Sequence, residues 1–428
     1  MSTVAEVVLW GTRVGQVAIE DGQPCAAFEY DRAFLRSGIE VSPLSMPLSG
    51  QVYRFASLPQ ESFHGLPGML ADSLPDRFGN ALIDAWLVQQ GRTPGSLNPV
   101  ERLCYTGTRG MGALEYRPVL GPVPDARELI EFDALVELAT RVLSQREGLH
   151  VGAGEGAMRQ VLQVGTSAGG ARAKAVVAFN ETTGEVRSGQ VEAGDGFEHW
   201  LVKFDGVRGN RDHEDEDAPR YTRIEYAYFL MARAAGLQMS ECRLFEEGPR
   251  AHFMTRRFDR VGTEKLHMQT LAALAHADFN APGAFSYERA AQVVRMLGLG
   301  QEELEQLYLR MAFNILAHNN DDHVKNISFL MDKQGRWSLA PAYDVTYAYK
   351  PAGLWTGSHQ MTVNGKRDGF GSDDLLAAAR AMDIRAGQAR ELLQLVRHAV
   401  ARWPEFATAA GVSEAVAARL QASFPGVK

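Results

Sequence analysis

The sequence has few cysteines, no long apolar run and no excess of positive charge. Its 428 residues include only three cysteines, Cys25, Cys104 and Cys242, which stand far apart and form no CxxC pair or Cys/His cluster. An odd and scattered set argues against a disulfide framework or a structural zinc site, and it is typical of proteins in a reducing compartment.

Signals for export or membrane insertion are also missing. No run approaches the roughly 20 apolar residues that span a bilayer. The opening segment, MSTVAEVVLWGTRVG, has no basic stretch followed by an apolar core. We therefore expect a cytoplasmic protein without a membrane partner.

The formal net charge is −8. An acidic chain lacks the phosphate-neutralising surface on which independent nucleic-acid binding depends. The charge therefore argues against a DNA-binding protein, but it is compatible with a member of a DNA-bound complex. Apolar residues make up 45% and charged residues 22%, close to the average for soluble globular proteins, and the length predicts two or three domains.

The most informative feature is a polar island, HNNDDHVKN, at residues 318–326, between two apolar segments. A polar loop alone is more often a solvated turn. The interval from Asp321 to Asn326, however, is the Asp-x-x-x-x-Asn spacing of the kinase catalytic loop. There the Asp orients the attacking hydroxyl and accepts its proton, and the Asn holds Mg²⁺. Lys325 lies between them and is a candidate contact for a phosphoryl oxygen.

A second metal-binding carboxylate is expected beyond the hairpin-like pair that follows Asn326. Asp344, in APAYDVTYAY, stands there. Two oxygen ligands on either side of a hairpin form a site suited to Mg²⁺. The alternative is that Asp344 caps a helix formed by VTYAY. Taken together, Asp321, Asn326 and Asp344 predict a phosphotransferase that uses Mg-ATP.

Two upstream segments are typical of nucleotide binding. TSAGGARAKA is rich in glycine, and its backbone N–H groups, with the charges of Arg172 and Lys174, fit phosphate binding. It matches neither GxxxxGK[ST] nor GxGxxG, so an ordinary Gly-rich turn is the alternative. Lys203 ends the apolar strand HWLVKF, where a protein kinase keeps its phosphate-binding lysine. The alternative there is a solvent-exposed strand end.

The chain resembles the HipA family of serine/threonine kinase toxins from bacterial toxin–antitoxin modules. The resemblance covers about 380 residues, in family order, through VVLWGTRVGQVAIEDGQPCAAFEYD, GMGALEYRP, TSAGGARAKA, HWLVKFDG, RRFDR, HNNDDHVKNISF, LAPAYDV and QMTVNGKRD. It implies an α+β, protein-kinase-like fold of two lobes, with a β-rich N-terminal subdomain and an all-helical C-terminal lobe. The implied domains are a HipA-type subdomain at 1–120, an N-lobe portion with phosphate loop and hinge at 121–262, and a helical C-lobe at 263–428.

The resemblance also implies roles for residues. Asp321 corresponds to the catalytic aspartate, and Asn326 and Asp344 correspond to the Mg²⁺ ligands. The implied ATP-binding residues form the phosphate loop, the strand lysine, the hinge and the island: Gly169, Gly170, Ala171, Arg172, Ala173, Lys174, Lys203, Arg256, Arg257, Phe258, His323, Lys325, Asn326 and Asp344. Ser167 matches the serine that family members autophosphorylate to switch the kinase off, and Thr166 is its neighbour.

The function implied by the resemblance is a Mg-ATP-dependent serine/threonine protein kinase that acts as a toxin. Its implied partners are a small HipB-like helix-turn-helix antitoxin, through which alone it meets DNA, and a protein substrate. The best-known relatives phosphorylate an aminoacyl-tRNA synthetase, but the sequence selects no target. Two alternatives stay open: a small-molecule phosphotransferase on the same scaffold, and a catalytically silent member of a repressor complex.

The chain departs from the family pattern at three places. The phosphate loop has Ala173 and Lys174 after Arg172, where relatives carry Glu-Lys or Pro-Lys. The island reads Asn-Asp-Asp-His where many relatives have Asp-Gly-His, so Asp322 is an additional carboxylate. The segment 265–298 is unlike the best-known toxins. These departures bear on the substrate and on toxicity more than on the chemistry.

Overall fold

The computed structural model describes residues 2–121, 135–137, 139, 140, 172–190, 194–207 and 221–426. The chain divides into two compact units. Unit 1 comprises Met1–Val41, Met46–Thr222 and Arg243–Met268, and unit 2 comprises Ser42–Ser45, Arg223–Cys242 and Gln269–Lys428. The three domains at 1–120, 121–262 and 263–428 stay predictions.

Unit 1 begins with an antiparallel sheet in the order β3–β2–β1–β4. Its strands are β1 (Ser2–Leu9), β2 (Thr12–Glu20), β3 (Ala27–Tyr30) and β4 (Leu114–Arg117). The turn between β1 and β2 places Gly11 at a φ of 79°, a conformation that glycine adopts without steric cost.

Strand β3 is followed in unit 1 by the helices α1 (Gln60–Phe63), α2 (Gly68–Ala71), α3 (Arg77–Gln89) and α4 (Pro99–Thr106). The start signals of α3 and α4 are clear. The Asp76 carboxylate accepts the Gly79 backbone N–H at 2.6 Å and so caps α3. Asn98 and Glu101 form a reciprocal capping box at the start of α4.

A second sheet of unit 1 has the order β6–β5–β7–β9–β8. Its strands are β5 (Lys174–Phe179), β6 (Val186–Ser188), β7 (Glu198–Lys203), β8 (Cys242–Glu247) and β9 (Arg250–Arg256). All six residues of β5 are buried. Residues of this sheet and of α3 share one apolar core, which includes Phe78, Leu82 and Trp200. A short hairpin, β10 (Arg260–Val261) and β11 (Glu264–Lys265), follows.

Unit 2 is mainly helical. Its helices are α5 (Tyr221–Ala234), which begins in unit 1, α6 (Leu271–Ala275), α7 (Tyr287–Met296), α8 (Gln301–Leu316), α9 (Ser372–Ala381), α10 (Ala386–Ala401), α11 (Trp403–Ala409) and α12 (Glu414–Ser423). The strands β12 (His267–Thr270), β13 (Ser328–Met331) and β14 (Trp337–Leu339) form a sheet in that order. The predicted hairpin after the island is therefore present, and this sheet is an addition to an otherwise helical lobe.

The three cysteines are buried free thiols. Across the described ranges, the helices are too short or too polar for any of them to traverse a bilayer.

A buried charge cluster holds the end of unit 1 together. Asp259 is fully buried, and its carboxylate accepts two bonds from the Arg257 guanidinium, at 2.9 and 2.6 Å. It also accepts bonds from Arg260 Nη1 at 2.8 Å and from the Gly112 backbone N–H at 2.7 Å. Burial alone raises the pKa of this carboxyl, but Arg257 and Arg260 outweigh burial, so the pKa of Asp259 lies well below its usual value.

We predict that Asp259→Ala lowers the free energy of unfolding by about 3–5 kcal/mol, because it leaves two buried guanidinium groups without their counter-charge. Urea denaturation measures this loss. The control is Glu405→Ala, which removes a carboxylate from a solvent-exposed ion pair with Arg402. That change should leave the unfolding midpoint unmoved.

The wild type and Asp259→Ala also test how the contribution of Asp259 to stability depends on pH. Because folding lowers the pKa of Asp259, its contribution is complete above about pH 4, the ordinary value for an unfolded aspartate. It is lost as the pH falls through the folded-state pKa. The difference in stability between wild type and Asp259→Ala should therefore shrink below about pH 4. A difference that stays constant on acidification would contradict this assignment.

Candidate functional site

The polar island forms the loop between α8 and β13 in unit 2. α8 ends at Leu316, and a single 3₁₀ turn, Val324–Asn326, leads into β13. The two adjacent aspartates of this loop have opposite surroundings: the Asp321 side chain is 38% exposed, whereas Asp322 is 2% exposed. One carboxylate is therefore accessible to a substrate and the other is part of the interior.

Asp321 has contacts on both its side chain and its backbone. Its Oδ1 accepts the indole N–H of Trp355 at 2.6 Å, and Nε2 of His323 lies 3.9 Å from the same oxygen. Its backbone carbonyl accepts the side-chain N–H of Asn326 at 2.8 Å. The two residues of the Asp-x-x-x-x-Asn spacing are thus in direct contact.

Burial raises the pKa of Asp321, and the nearby carboxylates of Asp344 and Asp322 raise it further. His323 and the hydrogen bond from Trp355 act in the opposite direction, and the net direction is upward. A raised pKa brings a carboxylate closer to the range in which it serves as a proton acceptor near neutral pH.

The two predicted metal ligands line one pocket of unit 2. Because the Asn326 amide nitrogen bonds to the loop backbone, its Oδ1 is the atom left to act as a ligand. Asp344 lines the same pocket and has a φ of 55°, a left-handed conformation that is uncommon for a residue with a side chain. Residues 345–350 form no helix, so the alternative that Asp344 caps a helix is wrong.

This donor set fits Mg²⁺. In the part of the chain that the structure describes, no three or more His, Cys, Asp or Glu side chains gather into a metal site. One carboxylate and one amide oxygen are too few for a zinc site or a calcium cage, but they suit Mg²⁺. That ion keeps several waters and is usually held by one or two protein ligands together with substrate phosphates.

Arg310 of α8 also lines this pocket and is 4% exposed. Its Nη2 donates to the backbone carbonyl of Ala340 at 2.5 Å, just before the segment that carries Asp344. Burial lowers the pKa of Arg310 to about 10, so the side chain still carries its charge at neutral pH. The pocket therefore contains a fixed positive charge near its acidic groups.

Asp322, the carboxylate that departs from the family pattern, is an anchor. Its Oδ2 accepts the O–H of Tyr287 at 2.9 Å and lies 3.0 Å from Nδ1 of His359. Its Oδ1 accepts the backbone N–H of Gln360 at 2.8 Å. A buried carboxylate with three donors is satisfied, so Asp322 holds the loop in place.

Lys325 lies against an aromatic ring. Its Nζ is 4.2 Å from the ring centre of Phe279, a cation–π distance. Its backbone carbonyl accepts the O–H of Tyr343 at 2.5 Å. The predicted contact of Lys325 with a phosphoryl oxygen stays a prediction.

The other predicted residues fall in unit 1 or outside the described residues. Thr166, Ser167, Gly169, Gly170 and Ala171 lie outside them. The Arg172 guanidinium carbon is 4.7 Å from the ring centre of Tyr221.

Lys174 and Lys203 are neighbours across the sheet. Lys174 is 4% exposed, with its Nζ 3.4 Å from Oδ2 of Asp76. It follows Ala173, which is also buried, and faces Lys203, the last residue of β7, across the β5–β7 ladder. The buried ion pair with Asp76 is a contact that the sequence did not indicate, because the two residues are distant in the chain.

The predicted hinge, Arg256–Phe258, follows the end of β9. Nη2 of Arg256 lies 2.8 Å from Oε1 of Glu198 at the surface. The Arg257 backbone N–H donates to the carbonyl of His199 at 2.8 Å, while its guanidinium belongs to the buried cluster described above. The backbone of Arg257 is thus fixed by the sheet, and contact with adenine stays a prediction.

Sequence reasoning missed several side chains of this site. Trp355, Tyr287, His359 and Gln360 contact the two aspartates of the island from 34 to 38 residues away in the chain. The one available signal was Trp355 itself, since a tryptophan between two glycine-containing turns in GLWTG is unusual for a polar loop.

Comparisons with known proteins agree with this architecture. Residues 5–117 match the HipA N-terminal domain, and residues 166–403 match the HipA-like C-terminal domain. HipA from the Shewanella oneidensis MR-1 toxin–antitoxin system, solved with HipB and its operator DNA, is similar with a TM-score of 0.65 and 16% identity over 98% of this chain and 95% of that chain. The Helicobacter pylori proinflammatory kinase CtkA has a TM-score of 0.30 and 13% identity over 52% of this chain and 92% of that chain, a likeness too low to argue from.

The likeness to the Shewanella HipA structure confirms the α+β fold that the sequence predicted. The chain belongs to the HipA family, because the match to the HipA-like C-terminal domain alone covers more than half of it.

We predict that Asp322→Ala lowers the free energy of unfolding by at least about 2 kcal/mol, because it leaves three buried donors without an acceptor. The matched control is Asp321→Ala, the same substitution one residue earlier, at a side chain that is 38% exposed. Asp321→Ala should lower the free energy of unfolding by clearly less than Asp322→Ala does. Chemical denaturation followed by a probe in unit 2 compares them, and equal losses would refute the anchoring role of Asp322.

Proposed function

We propose that the protein is a Mg-ATP-dependent serine/threonine protein kinase and the toxin of a toxin–antitoxin module. The observation that carries this proposal is the grouping of three residues in unit 2. Asn326 and Asp344 line one pocket, and Asp321 is bonded to Asn326 and close enough to Asp344 for the two carboxylates to interact electrostatically. Membership of the HipA family supports the same assignment.

Each of these residues has a role in the proposed reaction. Asp321 orients the substrate hydroxyl and accepts its proton as the hydroxyl oxygen bonds to the γ-phosphorus. The bond between that phosphorus and the bridging oxygen breaks, and ADP leaves with the bridging oxygen. Asn326 and Asp344 hold Mg²⁺, which when bound neutralises negative charge on the ATP phosphates. Asp322 supports this arrangement, because its buried hydrogen bonds fix the backbone next to Asp321.

The remaining predicted ATP contacts belong to the same proposal. They comprise the phosphate loop, the lysines of β5 and β7, the hinge, and two side chains of the island: Gly169, Gly170, Ala171, Arg172, Ala173, Lys174, Lys203, Arg256, Arg257, Phe258, His323 and Lys325. We also propose autophosphorylation at Ser167. Phosphate there adds close to two negative charges at neutral pH and would repel the nucleotide.

The proposed partners are a protein substrate and a small helix-turn-helix antitoxin. The Shewanella HipA was solved with HipB and operator DNA. The net charge of −8 supports an indirect contact with DNA through such a partner, because this chain supplies no excess of basic residues. Co-purification with the helix-turn-helix product of a neighbouring gene tests the pairing.

We predict that Asp321→Asn reduces phosphotransfer by several orders of magnitude and leaves the affinity for Mg-ATP within about threefold of wild type. The amide keeps the size of the side chain but cannot accept the hydroxyl proton. Mass spectrometry after incubation with Mg-ATP reads the transfer as phosphate on the peptide that carries Thr166 and Ser167. Calorimetry reads the affinity.

Two results would change the assignment. Near wild-type transfer by Asp321→Asn would remove Asp321 from the reaction. Phosphate that reaches only small molecules in a metabolite panel, and no protein hydroxyl, would favour the small-molecule phosphotransferase.

We predict that Asp344→Asn weakens binding of ATP in the presence of Mg²⁺ by about tenfold or more, because it removes a charged ligand of the ion. Without Mg²⁺ the two proteins should bind ATP equally. The matched control is Asp332→Asn, in the turn between β13 and β14, which should bind Mg-ATP as wild type does. Unchanged Mg-ATP binding by Asp344→Asn would mean that Asp344 is not a metal ligand.

A further inference from the structure

The loop between Asp344 and α9 presents two large apolar side chains to solvent. Leu354 is fully exposed, and Trp355 is 36% exposed. Few large apolar side chains such as tryptophan are expected at a protein surface beyond those that a function needs. The surroundings of Trp355 indicate a role for its side chain.

Trp355 makes a directed contact with the predicted catalytic aspartate. Its indole N–H donates to Oδ1 of Asp321 at 2.6 Å. Indole nitrogen is a donor only, and a bond to an ionised carboxylate is among the stronger hydrogen bonds in proteins. In the described part of the chain no donor contacts Oδ2 of Asp321, so this oxygen is the one available to a substrate hydroxyl.

The backbone that carries Trp355 is tied to the catalytic loop. The carbonyl of Thr356 accepts the Asn320 side-chain N–H at 3.1 Å, and the carbonyl of Trp355 itself accepts the Gln360 side-chain N–H. The Gln360 backbone N–H in turn donates to the buried Asp322 at 2.8 Å. Residues on both sides of Asp321 thus hold the loop that delivers the indole to it.

We propose that Trp355 is a positioning residue, whose indole N–H fixes the Asp321 carboxylate with Oδ2 directed to the substrate hydroxyl. The inference rests on the proposed kinase function and adds a residue to its machinery. The competing interpretation is a lid, in which the indole covers Asp321 and must leave before a substrate binds. The ties through Asn320 and Gln360 favour positioning, because a lid needs a backbone that can move away.

The test is Trp355→Phe, which keeps an aromatic ring and removes the N–H. Loss of one hydrogen bond to a charged group should lower kcat for phosphotransfer by roughly 10- to 100-fold. KM for Mg-ATP and the unfolding midpoint should stay at their wild-type values, because the ring is partly exposed and does not hold the nucleotide. The control is Leu354→Ala, the exposed neighbour on the same loop, which should leave kcat unchanged.

A second readout does not depend on activity. In ¹⁵N spectra, the indole N–H resonance of Trp355 is identified by its absence from Trp355→Phe. It should shift and exchange faster with solvent in Asp321→Ala, because its acceptor is gone. If the chemical shift and the exchange rate of the indole N–H were the same in Asp321→Ala as in the wild type, both the contact and the proposal would be refuted.

The outcomes separate this inference from the proposed function. If the wild type is active and Trp355→Phe has the same kcat, the inference is overturned and the kinase proposal stands. If Trp355→Phe has a higher kcat than the wild type, Trp355 acts as a lid instead. A wild type that transfers no phosphate overturns the kinase proposal and the positioning role together, while the indole spectrum still reports whether the contact exists.

Discussion

The site in unit 2 depends on one buried carboxylate. Asp322 accepts bonds from Tyr287, His359 and Gln360, which lie 35, 37 and 38 residues away in the chain. A buried carboxylate that lost these donors would carry an uncompensated charge, so the loop has one stable conformation. Because Asp321 immediately precedes Asp322 in the chain, the same hydrogen bonds fix the position of the accessible carboxylate of Asp321. Asp321, the proposed proton acceptor, is thus positioned by its buried neighbour.

The pocket lined by Asn326 and Asp344 has a different kind of support. Asn326 leads directly into β13, and the β13–β14 hairpin returns the chain to the segment of Asp344. Arg310 holds the end of that hairpin through the carbonyl of Ala340. These ties hold Asp344 in a left-handed conformation, which a residue with a side chain adopts at some cost in energy. Strain of this kind persists only where the surroundings over-determine the backbone, and such positions are common at functional sites.

Local signals in the sequence predicted local structure well. The five-residue spacing of Asp321 and Asn326 became a direct contact, and the apolar pair after the island became β13 and β14. The helix considered as the alternative after Asp344 is absent, because that segment is held by long-range contacts, such as the bridge between Asn319 and Ala348, that outweigh local propensity. Long-range partners such as Trp355 for Asp321, or Asp76 for Lys174, leave no trace in spacing, since they depend on how the chain folds back on itself.

Two of the three departures from the family pattern, the additional carboxylate Asp322 and the segment 265–298, are in physical contact. Tyr287, in the divergent segment 265–298, donates to Asp322, the additional carboxylate of the island. Phe279, in the same segment, lies under the ammonium of Lys325 and 6.3 Å from the ring centre of His323. Without the hydroxyl of Tyr287, Asp322 would lose one of its three donors. Without Asp322, the buried O–H of Tyr287 would lose its acceptor, although Asn314 would still donate to its oxygen. Each departure therefore supports the other, and together they alter the surroundings of the polar island while Asp321, Asn326 and Asp344 keep their places in the chain. This is where a difference in substrate would arise without a change in the chemistry.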